Sequence, residues 1–195
     1  MNESLKTKEH FAYIEHQKQK TTNPEKIKKW LGEEWSLKLN GFKEIFSQYE
    51  GVFNKNKKCV GLGARTGQEI AALKELGYKD SIGIDLVAFE PYTIKGDFHK
   101  LPFDNSSVSL IYSNAVDHVL NPKLWSQEIN RVLSKGGHIL FNLQINIGQD
   151  EYSVFEIEDV ESDLIDKYFN DYKIIKNNSI PQNIHAMNWE TLIQK

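Results

Sequence analysis

Lys58-Cys59-Val60-Gly61-Leu62-Gly63-Ala64-Arg65-Thr66-Gly67-Gln68-Glu69-Ile70 is the stretch on which the fold turns. Val60 and Leu62 supply a short apolar run, which reads as a buried strand. Gly63 and Gly67 then allow a tight turn, because glycine tolerates φ > 0 and close approach of backbone to a ligand. Ile70, Leu73 and Leu76 follow at near-helical spacing, and Gly77 is a natural stop. A helix behind such a turn points unpaired N–H groups and its positive dipole end at the loop. That arrangement suits a nucleotide-like or carboxylate-bearing ligand.

The next element sharpens the reading. Ser81-Ile82-Gly83-Ile84-Asp85 is a second short apolar run, and it ends in a carboxylate. Asp85 stands roughly 20 residues past the glycine turn, where such folds place the acid that accepts hydrogen bonds from ribose hydroxyls. The plainer reading of Asp85 is a turn residue at a strand end. Glycine loop, helix, strand and terminal acid in this order favour the ribose role.

Further motifs follow in order. Gly63 to Gly67 resembles the first motif of class I S-adenosylmethionine-dependent methyltransferases, and Asp85 their ribose acid. Gly96-Asp97-Phe98 resembles their adenine-site motif, and Leu101-Pro102-Phe103-Asp104 the stretch after it. Val108 to Asn114 is similar to their fourth strand. Asn130-Arg131-Val132-Leu133-Ser134-Lys135-Gly136-Gly137 is similar to the run before their fifth. The resemblance implies an α/β fold: a Rossmann-like, seven-stranded, mostly parallel sheet with an antiparallel last strand and helices on both faces. It implies a helical cap over residues 1–50, before a methyltransferase domain over 51–195. It also implies S-adenosyl-L-methionine as cofactor, held by Gly63, Ala64, Arg65, Gly67, Asp85, Leu86, Asp97, Phe98 and Asn114.

Two positions depart from the family pattern. An acid often precedes the first glycine by two residues and helps hold the methionine ammonium; that position is Gly61 here. The middle glycine of the motif is Arg65. The methionine end must therefore be held differently or less well. The planar fork of Arg65 suits a carboxylate, and solvent is the other place for it.

Composition sets the outer bounds. The chain has 195 residues, within the span of one domain with a full core. No run of about 18 apolar residues occurs, so no membrane-spanning helix is expected. The first residues lack the apolar segment of a signal peptide. A single cysteine, Cys59, excludes an intrachain disulfide and a Cys-rich zinc site. These features fit a reducing cytoplasm. Residues 1–58 hold twelve Lys against eight Glu, within a net charge of −3 for the whole chain. That balance does not call for a nucleic-acid partner.

Residues 1–20 read as an arm or a short helix. Asn23-Pro24 is a helix start, and Ile27, Trp30 and Leu31 continue at helical spacing. A second apolar helical stretch runs from Trp35 to Tyr49. These helices pack on the sheet, or they cover the cofactor, with Trp30 and Trp35 as the side chains of interest. His99 is expected on the surface. A helix from Asn121-Pro122 is expected to end at Gly136-Gly137, before a strand over His138 to Leu143. Asp159 is placed to cap a helix carrying Val160, Leu164, Ile165 and Tyr168. A closing antiparallel pair is expected over Tyr172 to Ile180 and Ile184 to Ile193, joined by Pro181-Gln182-Asn183.

The carboxyl end of the fourth strand carries Asn114, Asp117 and His118. Open α/β sheets bind ligands outside the carboxyl ends of their strands. His118 is therefore a candidate base and Asp117 its orienting or substrate-binding neighbour. No Gly-x-Ser-x-Gly elbow or P-loop is present, and no paired-His motif suggests a metal. Ser113-Asn114-Ala115-Val116 also differs from the Asn/Asp-Pro-Pro-Tyr/Phe run of many enzymes that methylate base or glutamine amino groups. The expected function is methyl transfer to a small-molecule or sugar-like acceptor. A noncatalytic methyltransferase-like binding domain and a nucleotide-binding oxidoreductase are the rival readings.

Overall fold

The structure is a computed structural model, and it describes residues 8–146, 151–182 and 186–195. Seven strands form one sheet: β1 (Lys58–Leu62), β2 (Ser81–Asp85), β3 (Thr93–Lys95), β4 (Val108–Ser113), β5 (Leu133–Leu143), β6 (Lys173–Ser179) and β7 (Trp189–Gln194). Their order is β3-β2-β1-β4-β5-β7-β6. β1 pairs in parallel with both β2 and β4, so the strand order reverses there. That switch point is where such sheets leave a ligand crevice. β7 runs antiparallel to both β5 and β6, as the closing pair predicts. Asn183, Ile184 and His185, part of the expected turn and last strand, lie outside the described residues.

Six helices complete the fold: α1 (Lys8–Thr21), α2 (Pro24–Leu31), α3 (Trp35–Ser47), α4 (Gln68–Glu75), α5 (Pro122–Val132) and α6 (Asp166–Tyr168). Asn23 caps α2, its side chain accepting the N–H groups of Glu25 and Lys26. Asn121 caps α5 in the same way through Leu124 N–H. Asp159 accepts the Ser162 N–H, but the turn that follows, Glu161–Ile165, is a π-helix leading into α6. Among the described residues, no helix is long and apolar enough to cross a membrane.

Side chains alternate across the central strands and build two cores. Val60, Leu62, Ile111 and Phe141 join Trp125 and Ile129 of α5 and Phe169 on one face. Cys59, Leu110, Tyr112 and Leu140 join Phe42 and Phe46 of α3 and Ile70 and Leu73 of α4 on the other. Cys59 is fully buried, and burial pushes its thiol up to about 12, the state of an inert packing residue.

One boundary differs from the sequence reading. α5 stops at Val132, and β5 begins at once with Leu133 paired to Val108. Gly136 and Gly137 thus lie inside β5, not at the helix end. Gly136 has φ +74 and exchanges hydrogen bonds with the chain's last residues. Sheet pairing overrides the usual meaning of a Gly-Gly stop.

A buried carboxylate clasps the segment after α3 to the sheet. Glu190 on β7 accepts from Tyr49 beyond α3, from Asn142 on β5 and from Lys176 on β6. Tyr49→Phe removes one donor and leaves a buried acceptor less satisfied. Urea unfolding should show a loss of about 1–3 kcal/mol; an unchanged midpoint would show that the clasp contributes nothing to stability.

Candidate active site

The loop after β1 is set by backbone geometry. Gly63 has φ +71, and a Cβ there would meet Ala115 Cβ at 2.6 Å. Gly67 has φ +83, and a Cβ would strike Tyr92 at 2.4 Å. Between them Arg65 itself takes φ +46, the left-handed region that a glycine would enter at lower cost. Its N–H donates to Asp85 Oδ2 at 2.8 Å, and its guanidinium lies over the Trp30 ring at 4.4 Å. Backbone bond and ring contact hold the unusual conformation. Gln68 Nε2 adds a bond to the Trp30 carbonyl at 3.0 Å, which docks α2 on the loop.

A first cavity of about 550 Å³ opens beside Asp85 at the carboxyl end of β2. Gly63, Arg65, Leu86, Asp97 and Phe98 line it from the sheet. Asp85 accepts one backbone N–H on each oxygen, from Arg65 and from Val87. Burial raises its carboxyl, against the pull of those bonds.

The opposite wall of this cavity is α1, through Tyr13, Gln17, Lys20 and Thr21. α1 is fastened along its length, at an exposed point by His16 on the Glu151 carbonyl and at three more enclosed ones. His10 Nε2 bonds Asp97 Oδ2 at 2.9 Å, Tyr13 donates to the His118 carbonyl at 2.7 Å, and Gln17 donates to the Tyr152 carbonyl at 2.6 Å. Asp97 Oδ1 receives His99 Nδ1 at 2.7 Å, while His99 Nε2 accepts the Asn121 N–H at 3.1 Å. Burial is the largest influence on Asp97 and would raise it. The bonds and charges from His99 and His10 together outweigh burial and hold it below the usual range. His10, Asp97 and His99 offer ligand atoms within 4.8 Å of one another. In this structure the same groups form the fastening just described.

A second cavity, also about 550 Å³, lies on the other side of the loop. It shares Gly63, Arg65 and Ala115 with the first. Trp30, Lys38 and Phe42 come from the cap, Ala64 and Glu69 from the loop and α4, and Asn114 from the end of β4. Asn114 also opens onto a smaller cavity of about 280 Å³ with Asp117, Asn142 and Phe155.

After β4 the chain makes a short 3-10 turn, Val116–His118. His118 Nδ1 bonds the Tyr152 carbonyl at 3.1 Å, which requires the hydrogen on Nδ1 and makes Nε2 the basic nitrogen. Asp117 Oδ2 lies 3.6 Å from that Nδ1. Asp117 also accepts the Ser153 hydroxyl, and its carbonyl accepts the N–H groups of Val154 and Phe155.

The residues singled out from sequence fall unevenly on these cavities. Asp85, Leu86, Asp97, Phe98 and His118 line the first, Ala64 and Asn114 the second, and Gly63 and Arg65 both. Gly67 lines neither; it packs against Tyr92 and opens α4. His99 is corrected from surface to buried, at 1% exposure, because it bridges Asp97 and the start of α5. Trp30 reaches the site, whereas Trp35 packs on Tyr92 at 5.6 Å between ring centres. Sequence reasoning offered a short helix within residues 1–20 but missed its place in the cavity wall, and it missed Glu69. The α1 signal was the polar stripe His10, Tyr13, Gln17, Thr21 at helical spacing. For Glu69 it was a carboxylate beside Ile70, on the inward face of α4.

Residues 60–141 match the family model described as a methyltransferase domain. Over those residues the chain is similar to methyltransferase domains, and its sheet has the class I methyltransferase fold. Among solved structures it is similar to 1,6-didemethyltoxoflavin-N1-methyltransferase of Burkholderia thailandensis, with a TM-score of 0.69 at 13% identity. That match covers 100% of this chain and 93% of the other, which holds 1,6-didemethyltoxoflavin and S-adenosylhomocysteine. It is also similar to a SAM-dependent methyltransferase of Aquifex aeolicus, with a TM-score of 0.60 at 11% identity, covering 78% of this chain and 88% of that one. No curated protein sequence matches the chain. S-adenosyl-L-methionine is the cofactor of this class. The residues present fit it: each Asp85 oxygen keeps lone-pair capacity beyond its backbone bond, and Asp85 lines the first cavity beside Leu86 and Phe98.

Glu69 gives the unliganded site a pH signature. Burial pushes its carboxyl up to about 8 from an ordinary 4.5. The folded chain thus holds this proton more tightly than the unfolded chain. The resulting stability is full below the ordinary value and is lost as pH rises through about 8. Glu69→Gln should remove this part of the decline, which has a slope of at most about 1.4 kcal/mol per pH unit. Denaturant unfolding of both proteins across that window checks it; parallel stability curves would contradict it.

Proposed function

We propose that the protein transfers a methyl group from S-adenosyl-L-methionine to a small-molecule acceptor. The observation that carries this reading is Asp85, held by two backbone N–H groups at the strand-order switch and facing the first cavity. When bound, the cofactor supplies an electrophilic methyl group. The protein has to hold donor and acceptor in line and move a proton where the acceptor carries one.

Asp85 receives the ribose hydroxyls, and Leu86 and Phe98 give the base apolar walls. The N-terminal helices, within residues 1–50, act as a cap that excludes water from the donor. The acceptor enters from the side of Asn114, toward the smaller cavity. The small molecule bound to the Burkholderia enzyme supports a small-molecule acceptor. The single buried thiol is in keeping with a cytoplasmic protein.

Titration calorimetry with S-adenosylmethionine, S-adenosylhomocysteine and NAD(P) tests the cofactor reading. Asp85→Ala should weaken S-adenosylhomocysteine by about 1–3 kcal/mol, the cost of unsatisfied hydroxyls. Tight NAD(P) binding with no response to S-adenosylhomocysteine would favour an oxidoreductase and end the proposal.

His118 is proposed as the proton acceptor, oriented by Tyr152 and Asp117. His118→Ala should lower turnover by roughly 10²–10⁴-fold while cofactor affinity stays within a few-fold. Turnover near that of the unaltered protein would remove His118 from the chemistry. The noncatalytic reading rests on Gly61 and Arg65. Cofactor binding without turnover on sugars, carboxylates, phenols or amines would support it.

A further inference from the structure

The second cavity contains a buried acid that the reaction scheme leaves unused. Glu69 stands in the first turn of α4 at 4% exposure and lines that cavity. Among the described residues, no other side chain donates a hydrogen bond to its carboxylate; its own backbone N–H does. A carboxylate buried in this way is costly unless a cation joins it. Arg65 and Lys38 are near enough to favour its charged form, and Asp85 opposes it. Both cations are engaged: Lys38 pairs with Glu34 at 2.7 Å, and Arg65 lies flat on Trp30. The remaining titratable neighbour is Tyr112, a buried phenol held neutral by burial.

The position of Glu69 is informative. A Cβ on Gly61 would lie 3.5 Å from Glu69 Cγ and 2.9 Å from Ile70 Cδ1. The carbon stem of Glu69 therefore borders the space that a side chain at position 61 would enter. The two cavities meet at Gly63, Arg65 and Ala115. A ligand with its ribose at Asp85 and its amino-acid end passing Gly63 would enter the second cavity. That end carries an ammonium, with three donors and no acceptor, and a carboxylate.

We propose that Glu69 receives the ammonium of the cofactor's amino-acid end, the role left open by the glycine at position 61. The inference rests on the cofactor reading above. The proposal has a thermodynamic mark. With its carboxyl raised to about 8, Glu69 is largely protonated at neutral pH while the site is unliganded. An arriving ammonium draws it to the charged form, and one proton leaves for solvent.

Calorimetry at pH 7, in two buffers of different ionisation enthalpy, reads that proton directly. S-adenosylhomocysteine is the full probe, and 5′-methylthioadenosine is the same nucleoside without the amino-acid end. The unaltered protein should release a proton with the first probe and none with the second. Glu69→Gln should weaken S-adenosylhomocysteine roughly 10–100-fold, as for loss of a charged hydrogen bond, and abolish the release. Its affinity for 5′-methylthioadenosine should stay unchanged, which also shows that the variant is folded. Unchanged S-adenosylhomocysteine affinity and proton release in the variant would overturn the inference. Equal weakening of both probes would also overturn it, in favour of a structural role. If the unaltered protein binds neither probe, the cofactor reading fails and the inference with it.

Discussion

The bond from the Arg65 N–H to Asp85 joins the ends of two parallel strands, and the site is arranged around it. β1 and β2 lie side by side, so the loop after one must pass over the end of the other. Close approach is possible because Gly63 meets Ala115 and Gly67 meets Tyr92 with no side chain between. The acid at the end of β2 then receives the loop's backbone. That bond leaves each Asp85 oxygen able to accept once more, and it fixes where a ligand's hydroxyls must lie. Arg65 shows how tightly the position is specified. A residue with a Cβ is held at positive φ there, and its side chain is supported by Trp30 from a different part of the chain.

The cap is coupled to the same point by polar contacts. α1 reaches Asp97, the His118 carbonyl and the Tyr152 carbonyl in succession, and α2 reaches Gln68. Directional bonds set the register of a helix more sharply than apolar contact does, because each has one good geometry. Exposed apolar side chains on these helices, such as Phe11 and Leu31, agree with this division of labour. α1, held mainly by hydrogen bonds, can separate without exposing a large apolar face, whereas α3 is fixed in the core by Phe42 and Phe46. That suits a site which must exchange its ligand.

Much of this was readable in the sequence, for identifiable reasons. Strand β1, the glycine turn, α4, β2 and Asp85 follow from local chemistry: apolar runs, φ > 0 positions and a strand-end acid. The closing antiparallel pair follows from turn spacing. Contacts made at long range could not be read. His99 gave no sign that it would bridge Asp97 and Asn121, since its partners lie in a loop and at a helix start. α1 carries few apolar residues, so hydrophobic periodicity is silent about it. Its helical stripe is polar and buried against partners more than eighty residues away. The Gly-Gly pair in β5 misled for a related reason: pairing with β4 and the chain's end outweighs a local stop signal.

The charges of the site point to one kind of occupant. Asp85 and Asp97 line the first cavity and Glu69 the second, while Asp117 stands at the end of β4. The Tyr13 hydroxyl is raised by burial and then by Asp97, Asp85 and Asp117 in turn, so their potentials overlap at α1. Of the cations lining the two cavities, Lys38 pairs with Glu34, Arg65 lies on Trp30 and Lys20 sits over the Tyr152 ring. A partly enclosed crevice with low-dielectric walls focuses such a field. It favours a ligand carrying positive charge over one of the same shape without it. S-adenosylmethionine has a sulfonium, whereas S-adenosylhomocysteine has a neutral thioether. Such a field would favour the first over the second, with Asp85, Asp97 and Asp117 as its carboxylates, since Glu69, raised to about 8, stays largely protonated until a cation joins it.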